Sequence, residues 1–265
     1  MDVFCFGSGS EGNAFLVRTQ RTSILIDAGL APTTLRRLLR SSGVGDHELT
    51  AIVVTHEHHD HVRGLAGLLR WQSCPVVTTA GTDAVLRLEF GRRLMVTYRH
   101  WLEIGDLALY PVPVPHDASE PFGLRLATSH AEIALFTDLG TVTDEVLAAL
   151  SRADLIVLEA NHDRDLLWRG PYPEWLKRRI ASPGGHLSND QAAHALAQLS
   201  GPPRTIWLAH LSQKNNDPRL ALGTVRARLD SPCPHQLDVL PQGGMVYRWN
   251  FASSQYQLSR DSDQG

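Results

Sequence analysis

The sequence predicts an α/β (α+β) fold of four layers, αββα, with two mixed sheets face to face and helices outside. Three observations carry this. Short β-branched apolar runs alternate with segments of helical period. The alternation can be traced twice along the chain as two similar halves. Glycine and proline are scattered as turn punctuation, and no linker separates the halves.

The first half reads as strands near residues 2–7, 13–18, 22–27 and 50–55, with helices near 31–41 and 61–71. The second reads as strands near 107–115, 122–128, 131–137 and 153–159, then helices, then strands over 204–209 and 236–249. Residues 1–250 are expected to form a single domain. Residues 251–265 are polar and lack periodicity, so a flexible tail is expected there.

No apolar run approaches the roughly 20 residues that span a bilayer, so no membrane association is expected. The chain opens on strand-like residues (Val3-Phe4-Cys5-Phe6) and shows no basic stretch leading into an apolar one, which argues against a secretion signal. Cys5, Cys74 and Cys233 are few, odd in number and far apart. They do not form a disulfide framework and fit a reducing cytoplasm. The formal net charge is −3. That weighs against a protein that holds nucleic acid mainly by charge, although an enzyme can grip a strand end with a local patch.

The densest chemistry is the hexapeptide His56-Glu57-His58-His59-Asp60-His61. It places four metal-ligand types (His56, His58, Asp60 and His61) within six residues. Imidazole nitrogen and carboxylate oxygen suit zinc, manganese or iron better than calcium or magnesium. So many ligands in so short a stretch can serve two divalent ions, as in metal-assisted hydrolysis. The run Thr50 to Thr55 (TAIVVT) reads as a buried strand, and apolar residues after Asp60 recur at helical spacing. The hexapeptide is therefore a strand-to-helix corner, where ligands gather in layered α/β folds.

Candidate substrate contacts lie further along. Ser188 and Gln191 form a capping box ahead of an alanine- and leucine-rich helix, so His186 stands at a helix N-terminus. Free N–H groups and the positive dipole end favour phosphate there. A histidine at that place can bind a phosphate oxygen, protonate a leaving group, or simply pack in the turn. Asn161 and His162 follow the strand 153–159. Ser212, Lys214, Asn215 and Asn216 follow the strand 204–209 and read either as phosphate or sugar contacts or as a capped turn. Ser188 and Asn189 complete the expected substrate-binding set. Between His162 and His186, Arg164, Arg169, Lys177, Arg178 and Arg179 are interleaved with Trp168, Tyr172 and Trp175. Such a mixture holds single strands by phosphate pairing and base stacking, and a Lys-Arg-Arg run also serves as a solvated helix face. The turn Gly7 to Asn13 is glycine-rich and is not a P-loop, since its Lys-Ser/Thr ending and following helix are absent. It reads as a hairpin turn near the site.

The segment Thr55 to His61, set after a strand, resembles the signature of the metallo-β-lactamase superfamily. The superfamily's other elements occur in order: Asp27 ends the strand Ser23 to Ile26, His116 follows Leu107 to Pro115, Asp138 follows Glu132 to Thr137, and His210 follows Thr205 to Ala209. The resemblance implies the αββα sandwich and two divalent ions per chain. It assigns His56, His58 and His116 to the first metal, Asp60, His61 and His210 to the second, and Asp138 as the bridge. It implies hydrolysis, with Asp60 or Asp138 orienting the water and His186 assisting the leaving oxygen.

Four blocks (Phe6 to Asn13, Leu158 to Asp163, Gly185 to Asn189 and His210 to Asn216) are similar to the WalJ/YycJ branch. That branch is described as bacterial cytoplasmic metal-dependent hydrolases with 5′-to-3′ exonuclease activity on DNA. A nucleic acid substrate, DNA or RNA, is thereby implied, with zinc as the first expected metal and manganese or iron as others. The same ligand set also serves hydrolases of small esters, lactones, thioesters or cyclic phosphodiesters, and metal-binding regulatory modules.

Overall fold

Strands form where the β-branched and aromatic runs lie. The computed structural model describes residues 1–88, 91–229, 235–243 and 245–251, and the backbone of 257–260. It begins with β1 (Asp2–Gly7), β2 (Ala14–Arg18) and β3 (Ser23–Ile26), a meander whose side chains are almost all buried. Helix α1 (Pro32–Ser41) starts with proline, whose missing N–H costs nothing in a first turn. Its Leu35, Leu38 and Leu39 recur at helical spacing and are buried.

Next come β4 (Ala51–Val53), α2 (His59–Val62), α3 (Leu65–Leu68), β5 (Val76–Thr78), α4 (Ala80–Leu86), β6 (Arg93–Met95) and β7 (Leu102–Ile104). They are followed by β8 (Leu107–Pro113), β9 (Phe122–Ala127), β10 (Glu132–Phe136), α5 (Asp144–Leu150) and β11 (Leu155–Glu159). The chain continues with α6 (Arg164–Arg169), α7 (Glu174–Ile180), α8 (Asn189–Leu196), β12 (Thr205–Ala209), α9 (Pro218–Arg228), β13 (Gln236–Val239), β14 (Met245–Asn250) and β15 (Gln257–Arg260).

One sheet has the order β15-β14-β1-β2-β3-β4-β5-β6 and the other β13-β12-β11-β10-β9-β8-β7. In the first, β3 to β6 run parallel, and in the second, β10 to β13 do. The chain divides into two compact units. The first comprises Met1–Leu109, Ala118–Glu120 and Pro241–Gly265, and its core includes Phe6, Leu16, Leu25, Leu35, Ile52 and Leu65. The second comprises Tyr110–Asp117 and Pro121–Leu240, and its core includes Phe136, Ile156, Leu158, Leu187, Ile206 and Leu208.

Three expectations change. The single helix expected over 61–71 is two, α2 and α3, broken at Arg63 and Gly64. A Cβ on Gly64 would lie 2.1 Å from the Leu30 carbonyl oxygen, and its N–H donates to the Ala28 carbonyl at 2.7 Å. The stretch 236–249 is not continuous: β13 joins β12 in one sheet and β14 joins β1 in the other. Strands β5, β6 and β7 were not legible, because three residues are too few to show alternation. The tail expected over 251–265 lies mostly outside the described residues. Within it, Gln257–Arg260 pairs antiparallel with β14. Cys233 also lies outside the described residues.

Candidate functional site

In the first unit, Asp27 follows β3 with a left-handed backbone, φ 59°, which costs an L-residue roughly 1–2 kcal/mol. This backbone turns the carboxylate onto the corner after β4. Oδ1 accepts from the Thr55 N–H at 2.9 Å, and Thr55 Oγ1 lies 3.1 and 2.9 Å from the two oxygens. Oδ2 accepts from His61 Nδ1 at 2.7 Å. With Nδ1 engaged, His61 presents Nε2 as its ligand nitrogen.

Asn13, buried after the glycine-rich turn, places Nδ2 3.0 Å from that Nε2 and 3.3 Å from Asp60 Oδ2. The rings of His56 and His58 meet at 4.7 Å, and those of His56 and His61 at 4.1 Å. The structure thus gathers His56, His58, Asp60 and His61 as the sequence predicts. The other two members of the hexapeptide turn away: Glu57 accepts from the Ser119 N–H at 2.7 Å, and His59 is exposed. Sequence reasoning missed Asn13, although the turn that holds it was placed near the site.

In the second unit, β8 leads to His116, β10 to Asp138, β11 ends in Glu159, and β12 leads to His210. Asp138, Glu159, His186 and His210 each offer a ligand atom within 4.8 Å of the others. His116 donates Nδ1–H to the Gly185 carbonyl at 3.0 Å, which leaves Nε2 3.8 Å from Asp138 Oδ1. Glu159 is fully buried. Its Oε1 accepts from His186 Nδ1 at 2.7 Å and from His210 Nδ1 at 2.9 Å, while Oε2 accepts from the N–H groups of Leu139 and Leu187 at 3.0 and 3.2 Å. Glu159 is therefore to His210 what Asp27 is to His61. His210 also stands on left-handed backbone, φ 54°.

Burial alone would raise the Glu159 carboxyl, but His186 and His210, by charge and hydrogen bond, hold it below the ordinary range. Burial likewise pulls His186 down, yet the Glu159 carboxylate lifts it above its usual value. His116 is lowered, chiefly by burial. Glu159 was not named from sequence. The available signal was an acid ending an apolar strand, as at Asp27.

The expected substrate contacts are largely engaged with the protein itself. Asn161 Nδ2 donates to the His210 carbonyl at 2.9 Å, and Asn189 and Asn216 exchange two bonds of 2.9 Å. Ser188 caps α8 in a full capping box, which places His186 two residues before the cap. Ser212 Oγ accepts from the Asn215 N–H at 3.2 Å. These groups hold the loops that carry His186 and His210. In the basic stretch, Lys177 is buried and donates to the Trp168 carbonyl at 2.8 Å, and Arg179 pairs with Asp117 at 2.5 Å.

His162 is 2% exposed, and burial pushes its imidazole down to about 4, helped by His186 and Arg164 and opposed by Glu159 and Asp163. Its folded value lies below the ordinary 6.5. The stability gained from keeping it neutral is thus complete above 6.5 and lost as pH falls through 6.5 towards 4. Urea unfolding at pH 7 and pH 4.5 should show wild type losing up to about 3 kcal/mol more than His162→Gln. Equal losses would refute it.

Residues 22–211 match the family described as the beta-lactamase superfamily domain. This chain belongs to the metallo-β-lactamase superfamily. It is 34% identical over 229 residues to exodeoxyribonuclease YycJ of Bacillus anthracis, covering 84% of this chain and 87% of that protein. It is 34% identical over 222 residues to exodeoxyribonuclease WalJ of Streptococcus pneumoniae, covering 81% and 82%. Among solved structures, the metallo-β-lactamase fold protein YhfI of Bacillus subtilis matches with a TM-score of 0.71 at 17% identity, over 94% of this chain and all of that one. The fold is the superfamily's α/β sandwich, as the sequence predicted, and this superfamily member is a metal-dependent hydrolase. The donor set fits a divalent ion. Nitrogen and carboxylate ligands predominate, and His61, His116 and His210 each have Nδ1 anchored so that Nε2 is presented. Among the described residues, no helix is long and apolar enough to cross a membrane.

Proposed function

We propose that this chain is a phosphodiesterase that removes nucleotides from the end of a nucleic acid, DNA first, in the 5′-to-3′ direction. The observation that carries the reading is the Glu159-His186-His210 cluster beside Asp138, in a chain that matches two named exodeoxyribonucleases over most of their length. Residues 1–250 work as one domain. His56, His58, Asp60, His61, His116, Asp138 and His210 are the metal ligands, two ions are held per chain, and zinc is the first choice over manganese or iron. A bound divalent ion supplies Lewis acidity at phosphorus and acidifies water.

The residues do the rest. Asp60 or Asp138 orients the attacking water. His186 has Nδ1 fixed by Glu159 and is lifted in pKa by that carboxylate, so it keeps a proton for the leaving oxygen. Asn161, Ser188, Asn189, Ser212 and Asn215 hold the substrate side, and His162 stands next to it. The few cysteines, two of them free and buried among the described residues, fit action in the cytoplasm.

The test is degradation of 5′-labelled single-stranded and duplex oligonucleotides. Chelation should cut hydrolysis a hundredfold or more, about the several kcal/mol that a metal contributes. Zinc or manganese should restore it, and His56→Ala should hold less metal. Metal uptake without cleavage of any oligonucleotide would reject the nuclease reading.

A further inference from the structure

The glycine-rich turn between β1 and β2 ends in Asn13, a polar side chain that the proposed ligand set leaves out. Asn13 is fully buried in the first unit. Its backbone is tied on both sides: its N–H donates to the Asp60 carbonyl at 2.8 Å, and its carbonyl accepts from the Gly29 N–H at 2.9 Å. The turn before it has no slack, since a Cβ on Gly12 would lie 2.7 Å from the Gly29 carbonyl oxygen. The side chain therefore reaches the hexapeptide from a fixed base.

The turn also decides which end of the amide faces the site. Oδ1 accepts from the Gly9 N–H at 2.9 Å. A flipped amide would set NH2 against that N–H, donor against donor. Nδ2 has two protons. One goes to the Gly9 carbonyl at 3.2 Å. The other is left for Asp60 Oδ2, at 3.3 Å, and His61 Nε2, at 3.0 Å.

These two acceptors are not equal. His61 gives Nδ1–H to Asp27, so Nε2 carries the lone pair that a metal takes. A ring nitrogen whose lone pair is given to an ion accepts no hydrogen bond. With Nε2 so engaged, the second amide proton belongs to the Asp60 carboxylate and fixes its rotation. Charge matters as much as the bond. The amide is neutral, yet its end stands within 3.3 Å of an imidazole and a carboxylate of the proposed set. A carboxylate in its place would add oxygen and negative charge. Imidazole suits zinc, and added carboxylate suits manganese.

We infer that Asn13 is a positioning residue that sets the metal preference of the Asp60–His61 site. Its N–H donor holds Asp60 in one rotation, and its neutrality keeps the site on zinc's side. The inference rests on the ligand set proposed above and adds what decides between the ions.

The test is metal binding, read without turnover. Zinc and manganese are titrated separately into demetallated full-length protein, in competition with a chromophoric chelator. Asn13→Asp keeps the oxygen that accepts from Gly9 and replaces only the donor end. It should move the ratio of zinc to manganese affinity towards manganese by about tenfold or more in one of the two binding steps. A residue that merely closes the turn would leave this ratio unmoved. Urea unfolding is measured beside it, because the bond to the Gly9 carbonyl is given up. Should Asn13→Asp fail to fold, Asn13→Ala decides: a loss of about tenfold confined to one step supports the assignment, and equal losses or none overturn it. If wild type takes up two ions and the ratio stays put or moves towards zinc, the Asn13 assignment is wrong and the ligand set stands. If wild type takes up fewer than two, the two-ion ligand set falls and the assignment with it.

Discussion

Glu159→Gln will lower kcat/KM on any hydrolysed substrate by about 10- to 100-fold, the loss typical when the partner of a metal-ligating histidine, the role proposed above for His210, is removed. The reason lies in the bonding of the two oxygens. Oε1 receives Nδ1–H from both His186 and His210, and Oε2 receives two backbone N–H groups. Every neighbour is a donor, so a carboxylate, which only accepts, satisfies all four. A glutamine must point its NH2 at one pair or the other, donor against donor. If it faces Leu139 and Leu187, two buried N–H groups lose their acceptor. If it faces the imidazoles, both rings rotate or change tautomer.

Removing the charge also withdraws what lifts His186, so its pKa will fall. Where the protonated ring is the working form, the alkaline limb of the pH–rate profile should move to lower pH. Steady-state kinetics across pH, with circular dichroism as a control for folding, checks both. A loss in rate with an unmoved alkaline limb would leave Glu159 a purely structural role.

Gly29→Ala will be among the most damaging single-methyl additions in the chain. A Cβ at this position would lie 1.7 Å from the Asp60 carbonyl oxygen and 2.6 Å from the Asn13 nitrogen. Both are backbone atoms, so no side chain can swing aside. The surrounding segments are also tied to each other: Asn13 N–H donates to the Asp60 carbonyl at 2.8 Å, Gly29 N–H to the Asn13 carbonyl at 2.9 Å, and Ala28 N–H to the His61 carbonyl at 2.7 Å. Making room means displacing the hexapeptide from the Asp27 segment. The expected cost is on the order of 3 kcal/mol or more in unfolding free energy, together with weaker metal retention. Urea denaturation and metal analysis of the purified variant measure the two separately. A variant as stable as wild type would show that the segments part easily.

Much of this was legible in the sequence, and the limits have physical causes. The strands around the site were readable because they are buried and therefore apolar and β-branched, as in Leu25-Ile26 and Ile52-Val53. The proposed ligands of the hexapeptide were readable because metal chemistry restricts residue type. Asp27 and Asp138 are placed by the resemblance to the superfamily, each at the end of an apolar strand, and the same sign stands at Glu159, where Leu155-Ile156-Val157-Leu158 precedes it. It was passed over because a strand-end glutamate is ordinarily solvated, and nothing local says that two distant histidines converge on it. Asn13 was hidden in the same way, since its partners Asp60 and His61 lie 47 and 48 residues away. The intramolecular bonds of Asn161, Asn189 and Ser212 were not legible, because a sequence shows polarity but not which partner satisfies it. The break between α2 and α3 rests on a close approach to Leu30, again non-local.

The left-handed backbones of Asp27 and His210 set the molecule's resilience against its work. At both positions glycine would relax the main chain at no steric penalty. At both it would also erase the group that matters, the carboxylate that steers His61 or the imidazole held by Glu159. Selection for heat resistance alone, blind to turnover, would thus be drawn towards two of the changes that silence the protein.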